Sequence, residues 1–436
     1  MTEALHYLPL KTEVKLQYDL QLSERDEQAI AQMLAWEIIP TFISPGRTAW
    51  YKLLDPPMLE NGTRLRSAKL KGVGCWSPVS EKHETEWPGI PRPKALCQPT
   101  NSEYAAGFKR LHFGISEDAA FCTVESEAAP FGGITHRRAL LEYNSAKHLA
   151  NEDVPSVIPY RLIDYPELDT FRGDSLSAVV TLAPCSSPTK LDYFLLGDHY
   201  VSDGERANID DITKYFSSSD DKEKQLNEAR LNIAIEIGEL VRRMSASGLY
   251  RHASTWDNFL IDVESKVIFF SDLDSTRPLS ELHEKSQGLQ QLRDLASALY
   301  RLAGGLYRPI IMKSRSFSAI YKYDPFAGIV SGYFNLPLDV SRKLLGPIWR
   351  YFGSHFFLIQ REIDRMDSMS YLERTSYTMD RDVFYGLVFS IFASQFRERG
   401  DEFNLKEIPD ELTIEKNLAA HLGERETLLK LMVSSQ

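Results

Sequence analysis

The stretch 249–278, LYRHASTWDNFLIDVESKVIFFSDLDSTRP, places the tightest limit on how this chain can fold. Two short apolar runs with β character, FLIDV and VIFF, flank the charged turn ESK, which predicts a hairpin set inside a mainly helical region. A hairpin brings Asn258, just before the first run, back to Asp272, just after the second. An amide oxygen and a carboxylate at one open end suit a hard divalent cation, which takes oxygen ligands and readily shares phosphate oxygens. Asp274 competes with Asp272 for that role, and Asp272 is preferred because it comes directly after the strand. Asp257 and Asn258 also have an ordinary reading as a turn or cap pair, because Asp and Asn favour turns.

At 436 residues the chain exceeds a usual single core, so two lobes are expected. A net charge of −11 argues against a nucleic-acid partner or an anionic membrane surface. Any nucleotide site must therefore concentrate its cations locally. Cys75, Cys97, Cys122 and Cys185 form no CxxC pair and read as reduced thiols of a cytoplasmic protein. The opening MTEALHYLPLKTEVK lacks the apolar core of a signal peptide. The longest apolar window, VFYGLVFSIFASQF from Val383, is too short to span a bilayer and reads as a buried helix.

In chain order, 1–45 is an N-terminal extension with a helix over 23–39, where Ser23 and Asp26 supply capping chemistry. The β-rich lobe covers 46–185, with strands in AWYKLL, RLRSAKLKGVG, VPSVIPYRLIDY and SAVVTLAP. Residues 77–130 read as a Pro- and Gly-rich insertion, and GGITHRRALLEYNSAKHLA as the helix of that lobe. The helical lobe covers 186–310. It opens with a turn into a short helix at SSPTKLDYFLL, continues through an exposed polar loop over 197–224 and a long helix over 225–247 stopped by Gly248, and carries a further helix over 288–303. A helical tail covers 311–436, with helices beginning near Asp339, Tyr371 and Leu412. The predicted class is α+β, a two-lobed protein-kinase-like fold with a β-rich N-lobe, a mainly helical C-lobe and a helical extension.

Phosphoryl or nucleotidyl transfer needs positive charge on the phosphates, metal ligands, and a base or orienter for the nucleophile. Lys71 ends a strand immediately before Gly72 and Gly74, and Glu142 is the acid within the helix of the same half. A lysine held by a glutamate can be aimed at phosphate oxygens at little rotamer cost. Lys69 and Lys52 remain alternatives to Lys71. An ordinary protein kinase carries its base Asp five residues before the metal-binding Asn, and Ala253 holds that place here. Either Asp257 takes the role or the activity is absent.

Several segments resemble the selenoprotein O family of protein adenylyltransferases, which have a kinase-like fold. LKGVGCWSP is similar to that family's LKG(A/S)G glycine segment with its nucleotide lysine. GGITHRRALLEY resembles its glycine, arginine, glutamate and tyrosine helix, VVTLAPCSSPTKLDYF its VLTRVAPS strand and helix entry, and ASGLYRHASTWDN its GF(V/I)HGVMNTDN segment. QGLQQLRDLASALYRL resembles its NLxRLAxAL helix, so the likeness runs in order from about residue 70 to residue 302.

The resemblance implies ATP bound flipped relative to ordinary kinases, with AMP transferred to a protein hydroxyl. Lys71, Glu142 and Arg137 would then hold the β- and γ-phosphates, beside the glycines Gly72 and Gly74. Lys190 would stand in for the family's phosphate arginine. Asn258 and Asp272 would bind Mg²⁺ or Mn²⁺, with Asp257 as the base. Arg138, adjacent to Arg137, is an alternative to it. A kinase-like phosphotransferase acting on a protein or small-molecule hydroxyl, and a nucleotide-binding pseudokinase, are the competing expectations. Oligomeric state is not legible.

Overall fold

The computed structural model describes residues 7–43, 46–76, 96–100, 110–126, 132–169, 175–191, 203–251, 258–314, 324–346, 378–397, 405 and 407–434. In chain order the first elements are β1 (Glu13–Gln17), α1 (Glu24–Leu34), β2 (Gly46–Lys52), β3 (Ser67–Trp76) and β4 (Leu96–Cys97). They are followed by β5 (Arg110–Ile115), β6 (Phe121–Ser126), β7 (Ile134–Thr135), α2 (His136–Asn151), β8 (Ile158–Asp169) and β9 (Ser175–Ala183). Next come β10 (Thr189–Lys190), α3 (Asp203–Tyr215), α4 (Lys222–Ala246), β11 (Leu249–Arg251), β12 (Phe259–Ile261), β13 (Ile268–Phe270) and β14 (Thr276–Pro278). Then come α5 (Glu284–Ser314), α6 (Pro325–Phe334), α7 (Thr378–Phe396) and α8 (Glu411–Ser434), with a further helical stretch over 338–346 at the place expected near Asp339. The class is α+β, as expected.

The chain divides into two compact units that are not contiguous in sequence. The first comprises Met1–Arg110, Glu127–Pro188 and Phe269–Thr276, and the second comprises Leu111–Ser126, Thr189–Ile268 and Arg277–Gln436. Leu111–Ser126 lies within the stretch read as an insertion, yet forms part of the second unit. Phe269–Thr276, the acidic end of the predicted hairpin, forms part of the first.

The core of the first unit is an antiparallel sheet in the order β1-β8-β9-β3-β2, with β4 added to β3 and β7 to β9. Strict alternation along β3 sorts its side chains. Ala68 and Leu70 join a cluster with Ile30, Met33 and Leu34 of α1, while Lys69 and Lys71 occupy the alternate positions. The opposite cluster contains Ala139 and Tyr143 of α2 with Leu162 and Val179. Each helix thus covers one face of the sheet. Asp26 is buried and fixes α1, accepting from Leu54 N (2.8 Å), Asp55 N (3.1 Å), Tyr51 OH (2.9 Å) and Ser23 Oγ (2.8 Å).

In the second unit α4 lies against α6, and both helices carry glycine at the contact. A Cβ on Gly332 would strike the carbonyl oxygen of Ile235, and one on Gly238 the carbonyl oxygen of Ile329. The β5–β6 hairpin carries Phe113 and Phe121, which stack on Tyr385 and Phe389 of α7 at centroid distances of 5.4 and 5.6 Å. Buried His421 of α8 meets buried Asp382 of α7, Nε2 to Oδ2, at 2.9 Å. The turn after β12 is closed by Asp262, whose carboxylate accepts from Glu264 N (3.3 Å) and Ser265 N (3.1 Å), and by Lys266 at φ +61°.

Several expectations are corrected. α1 ends at Leu34 rather than at residue 39, because Trp36 turns into the left-handed region at φ 54°, leaving Ile38 and Ile39 exposed. The segment 197–224 is not all loop. It contains α3, seated by buried Ile212 and followed by buried Phe216, whose carbonyl accepts from Asn232 Nδ2 at 2.7 Å. Within 77–130, β4, β5 and β6 are regular structure. Lys190 lies on strand β10, and the short helix expected after it falls outside the described residues. α6 is an additional helix, started by Asp324, whose side chain accepts from Ala327 N at 3.1 Å, and by Pro325. The helix expected near Tyr371 begins at Thr378 among the described residues. α4, α5 and α8 form as predicted.

Candidate phosphate and metal site

One cluster of charged side chains is buried in the first unit. Lys69 and Lys71, two residues apart on β3, project from the same face and meet Glu142 of α2, which is fully buried. Glu142 Oε1 accepts from Lys69 Nζ at 2.9 Å and Oε2 from Lys71 Nζ at 2.8 Å. The strand register fixes both lysines: Lys69 lies opposite Trp50 and Thr181, and Lys71 opposite Thr48 and Val179. Lys69 Nζ also donates to the Ser271 carbonyl.

The segment 269–276 supplies the remaining acids. It is docked by the main chain, with Phe270 N donating to Pro155 O (3.1 Å), Val157 N to Phe270 O (2.9 Å) and Ser145 Oγ of α2 to Thr276 O (3.4 Å). Asp272 pairs with Lys71. Asp274 Oδ2 alone accepts three cations: Arg138 at 2.8 Å, Arg47 at 3.0 Å and Lys71 at 3.0 Å. Arg47 also reaches Gly133 O at 3.3 Å.

Burial works against the Lys71 ammonium, but Asp272, Asp274 and Glu142 outweigh it and hold its pKa above the ordinary lysine value. For Asp274, burial alone would favour the neutral acid. Lys71, with Arg138 and Arg47, overrides that and depresses its pKa despite Asp272 nearby. Arg47, Lys69, Lys71 and Arg138 outnumber Glu142, Asp272 and Asp274 by one, so the cluster has a cationic excess suited to an anion.

The carboxylates of Glu142, Asp272 and Asp274 lie within 4.8 Å of one another and could hold a metal ion. They are not equivalent. Both oxygens of Glu142 are engaged by lysines, whereas the Asp272 side chain is 38% exposed. Asp272, with Asp274 beside it, fits a cation that keeps one or two carboxylates and takes its other ligands from phosphate.

α2 is positioned at its start by a polar network. Asp164 Oδ1 accepts from Ser177 Oγ at 2.5 Å and lies 2.7 Å from His136 Nδ1. Ser177 is fully buried, so this trio anchors the helix and is not a nucleophilic triad.

Among the predicted site residues, Lys71, Glu142 and Asp272 come together as described. Arg137 is exposed and its neighbour Arg138 joins the cluster. Gly72 and Gly74 have a packing reason. At φ +89° and +117° they adopt left-handed backbone, and a Cβ on Gly72 would lie 2.6 Å from both Ile134 Cγ2 and Ser177 O. Lys190 sits on β10 opposite Leu260 in the second unit. Asn258 precedes β12 in the second unit, while Asp257 and Ala253 lie outside the described residues.

A second buried group was not legible in advance. Asp294 of α5 accepts from Arg251 N at 2.6 Å, and Arg293 donates to Phe113 O (3.1 Å) and Arg251 O (3.4 Å). They hold the last residue of β11, directly before the segment 252–257. Burial pushes the Asp294 carboxyl up to about 7, against the hydrogen bond from Arg251 and the nearby arginines. The available signal was an Arg-Asp pair inside QQLRDLASAL, a helix buried on every side there.

No protein-family model matches the chain, and no curated protein matches it. Among solved structures, WaaP in complex with acyl carrier protein is similar at TM-score 0.30 and 12% identity over 67% of this chain and 94% of that one. ROP2 from Toxoplasma gondii, described as a virulence factor with a protein-kinase fold and no enzymatic activity, is similar at TM-score 0.26 and 12% identity over 70% and 79%. A rhoptry kinase from Toxoplasma gondii is similar at TM-score 0.22 and 11% identity over 47% and 63%. No helix among the described residues is long and apolar enough to cross a membrane. Superpositions this loose leave the functional reading to the chain's own residues.

Proposed function

We propose that the chain is an ATP- and divalent-metal-dependent transferase of kinase-like type, acting on a hydroxyl of a protein or small molecule. The carrying observation is the convergence of Arg47, Lys71 and Arg138 on the single oxygen Asp274 Oδ2. Three cations aimed at one point form an anion seat, and phosphate oxygens reproduce the contacts that the carboxylate makes. Glu142 holds Lys71 and Lys69 in place from behind. Asp272 and Asp274 would hold Mg²⁺ or Mn²⁺, which neutralises charge on the phosphates.

Within this class, AMP transfer is the reading that the motif resemblance favours. The acceptor oxygen attacks the α-phosphorus, the bond to the bridging oxygen breaks, and pyrophosphate leaves. The acceptor proton goes to the base, assigned from the sequence to Asp257. Ala253, at the place of the usual kinase base, favours a moved base or a binding-only protein over ordinary phosphate transfer.

ATP labelled separately at the α- and γ-positions, supplied with Mg²⁺ or Mn²⁺ to the full chain and candidate acceptors, tests this. Retained α-label with released pyrophosphate is expected, lost in Lys71→Met and Asp272→Ala. Label retained only from the γ-position identifies a phosphotransferase. Nucleotide binding without label on any acceptor identifies a pseudoenzyme, and absence of nucleotide binding overturns the proposal.

A further inference from the structure

Cys75 and Cys97 are directly opposed across the antiparallel β3–β4 pair, and both are half-buried. Directly opposed residues have Cα atoms about 4.5–5.5 Å apart in such a ladder, and a disulfide accepts roughly 4.4–6.8 Å. β4 consists only of Leu96 and Cys97, so the pairing it makes is short. On the other strand Gly74 adopts φ +117°, and a Cβ there would strike the Cys97 carbonyl. Glycine at position 74 therefore lets the two main chains run close together beside the cysteine pair.

We propose that Cys75 and Cys97 form a redox-reversible cross-strand disulfide, with a low-molecular-weight disulfide such as oxidised glutathione as co-reactant. The Cys97 thiolate attacks one glutathione sulfur, the glutathione S–S bond breaks, and one glutathione leaves as thiolate and takes a proton. The Cys75 thiolate then attacks Cys97 sulfur, closes the protein disulfide and releases the second glutathione. Two protein thiols are oxidised and one glutathione disulfide is reduced. Cys97 is the better attacking group because the Cys75 backbone N–H hydrogen-bonds its thiolate, partly offsetting the upward push of burial. Burial, with the facing Cys97, pushes the Cys75 thiol up to about 11, opposed by Arg47. Oxidation is therefore slow at neutral pH and faster in alkali.

The test is incubation of the full chain in glutathione buffers of defined ratio, followed by alkylation and peptide mapping by mass spectrometry. The expected main product is a Cys75–Cys97 linked peptide pair, formed faster as pH rises and unaffected by Cys122→Ser. In Cys75→Ser a glutathione adduct on Cys97 is expected to persist. Wild type that stops at glutathione adducts, pairs either cysteine with Cys122 or Cys185, or stays reduced in wholly oxidised glutathione overturns the proposal.

Discussion

Glu142 has two carboxylate oxygens, and each holds a different lysine in a site from which water is excluded. Glu142→Gln removes the charge without changing the shape, leaving Lys69 and Lys71 short of an anion. Breaking a buried pair from one side costs about 3–5 kcal/mol, and urea denaturation of the variant is expected to show a loss of that order. Asp294 has the opposite sense. Its folded-state pKa of about 7 lies above the ordinary range of an aspartic acid, because burial disfavours the carboxylate. Its contribution to stability is therefore fully present below about 4 and lost as pH rises to about 7, above which it is flat. Asp294→Asn is expected to remove this slope from a pH series of melting temperatures, and an unchanged slope would refute the assignment. The Lys71–Glu142 pairing was readable because each is a charge inside an apolar element. The choices between Lys69 and Lys71, and between Asp272 and Asp274, were not forced choices: one carboxylate seats both lysines, and one lysine meets both aspartates. Arg137 and Arg138 differ only by one step around a helix, which no motif resolves without knowing the packed face.

The α4–α6 contact shows what an element needs from its smallest residues. Gly332→Ala gains helix propensity of about 1 kcal/mol, yet its methyl would strike the Ile235 carbonyl, and backbone cannot yield as a side chain can. A net loss of about 2–3 kcal/mol is expected from thermal unfolding. Gly248→Ala provides the control: φ is +83° but no atom lies within 4 Å, so only backbone strain of about 1 kcal/mol is expected. Elements with dense periodic apolar residues, such as α4 and α5, were legible in sequence. α3 was not, because it buries few residues, Ile212 and Thr213 among them, and its acidic surface resembles a loop. The β5–β6 hairpin was hidden because Phe113 and Phe121 find their partners on α7, far along the chain.

At the scale of the molecule, the two compact units are threaded through one another along the sequence. A chain truncated after residue 190 retains Lys69, Lys71 and Glu142 but loses Asp272 and Asp274. Hydrogen exchange of the β3 amides in that fragment is expected to be at least about tenfold faster than in the full chain. Equal protection would show that 269–276 adds nothing to the first unit. The division into two bodies followed from chain length, but the return of a short acidic segment to the first did not, since nothing local in SDLD marks which lysine it will meet. The same threading sets a timetable during synthesis. At roughly 5–20 residues per second, Asp272 emerges from the ribosome on the order of ten seconds after Glu142. Until then Lys71 has Glu142 as its one carboxylate partner in the cluster among the described residues, so the first unit, though begun first, is finished only after Leu111–Ser126 and Thr189–Ile268 of the second have been translated.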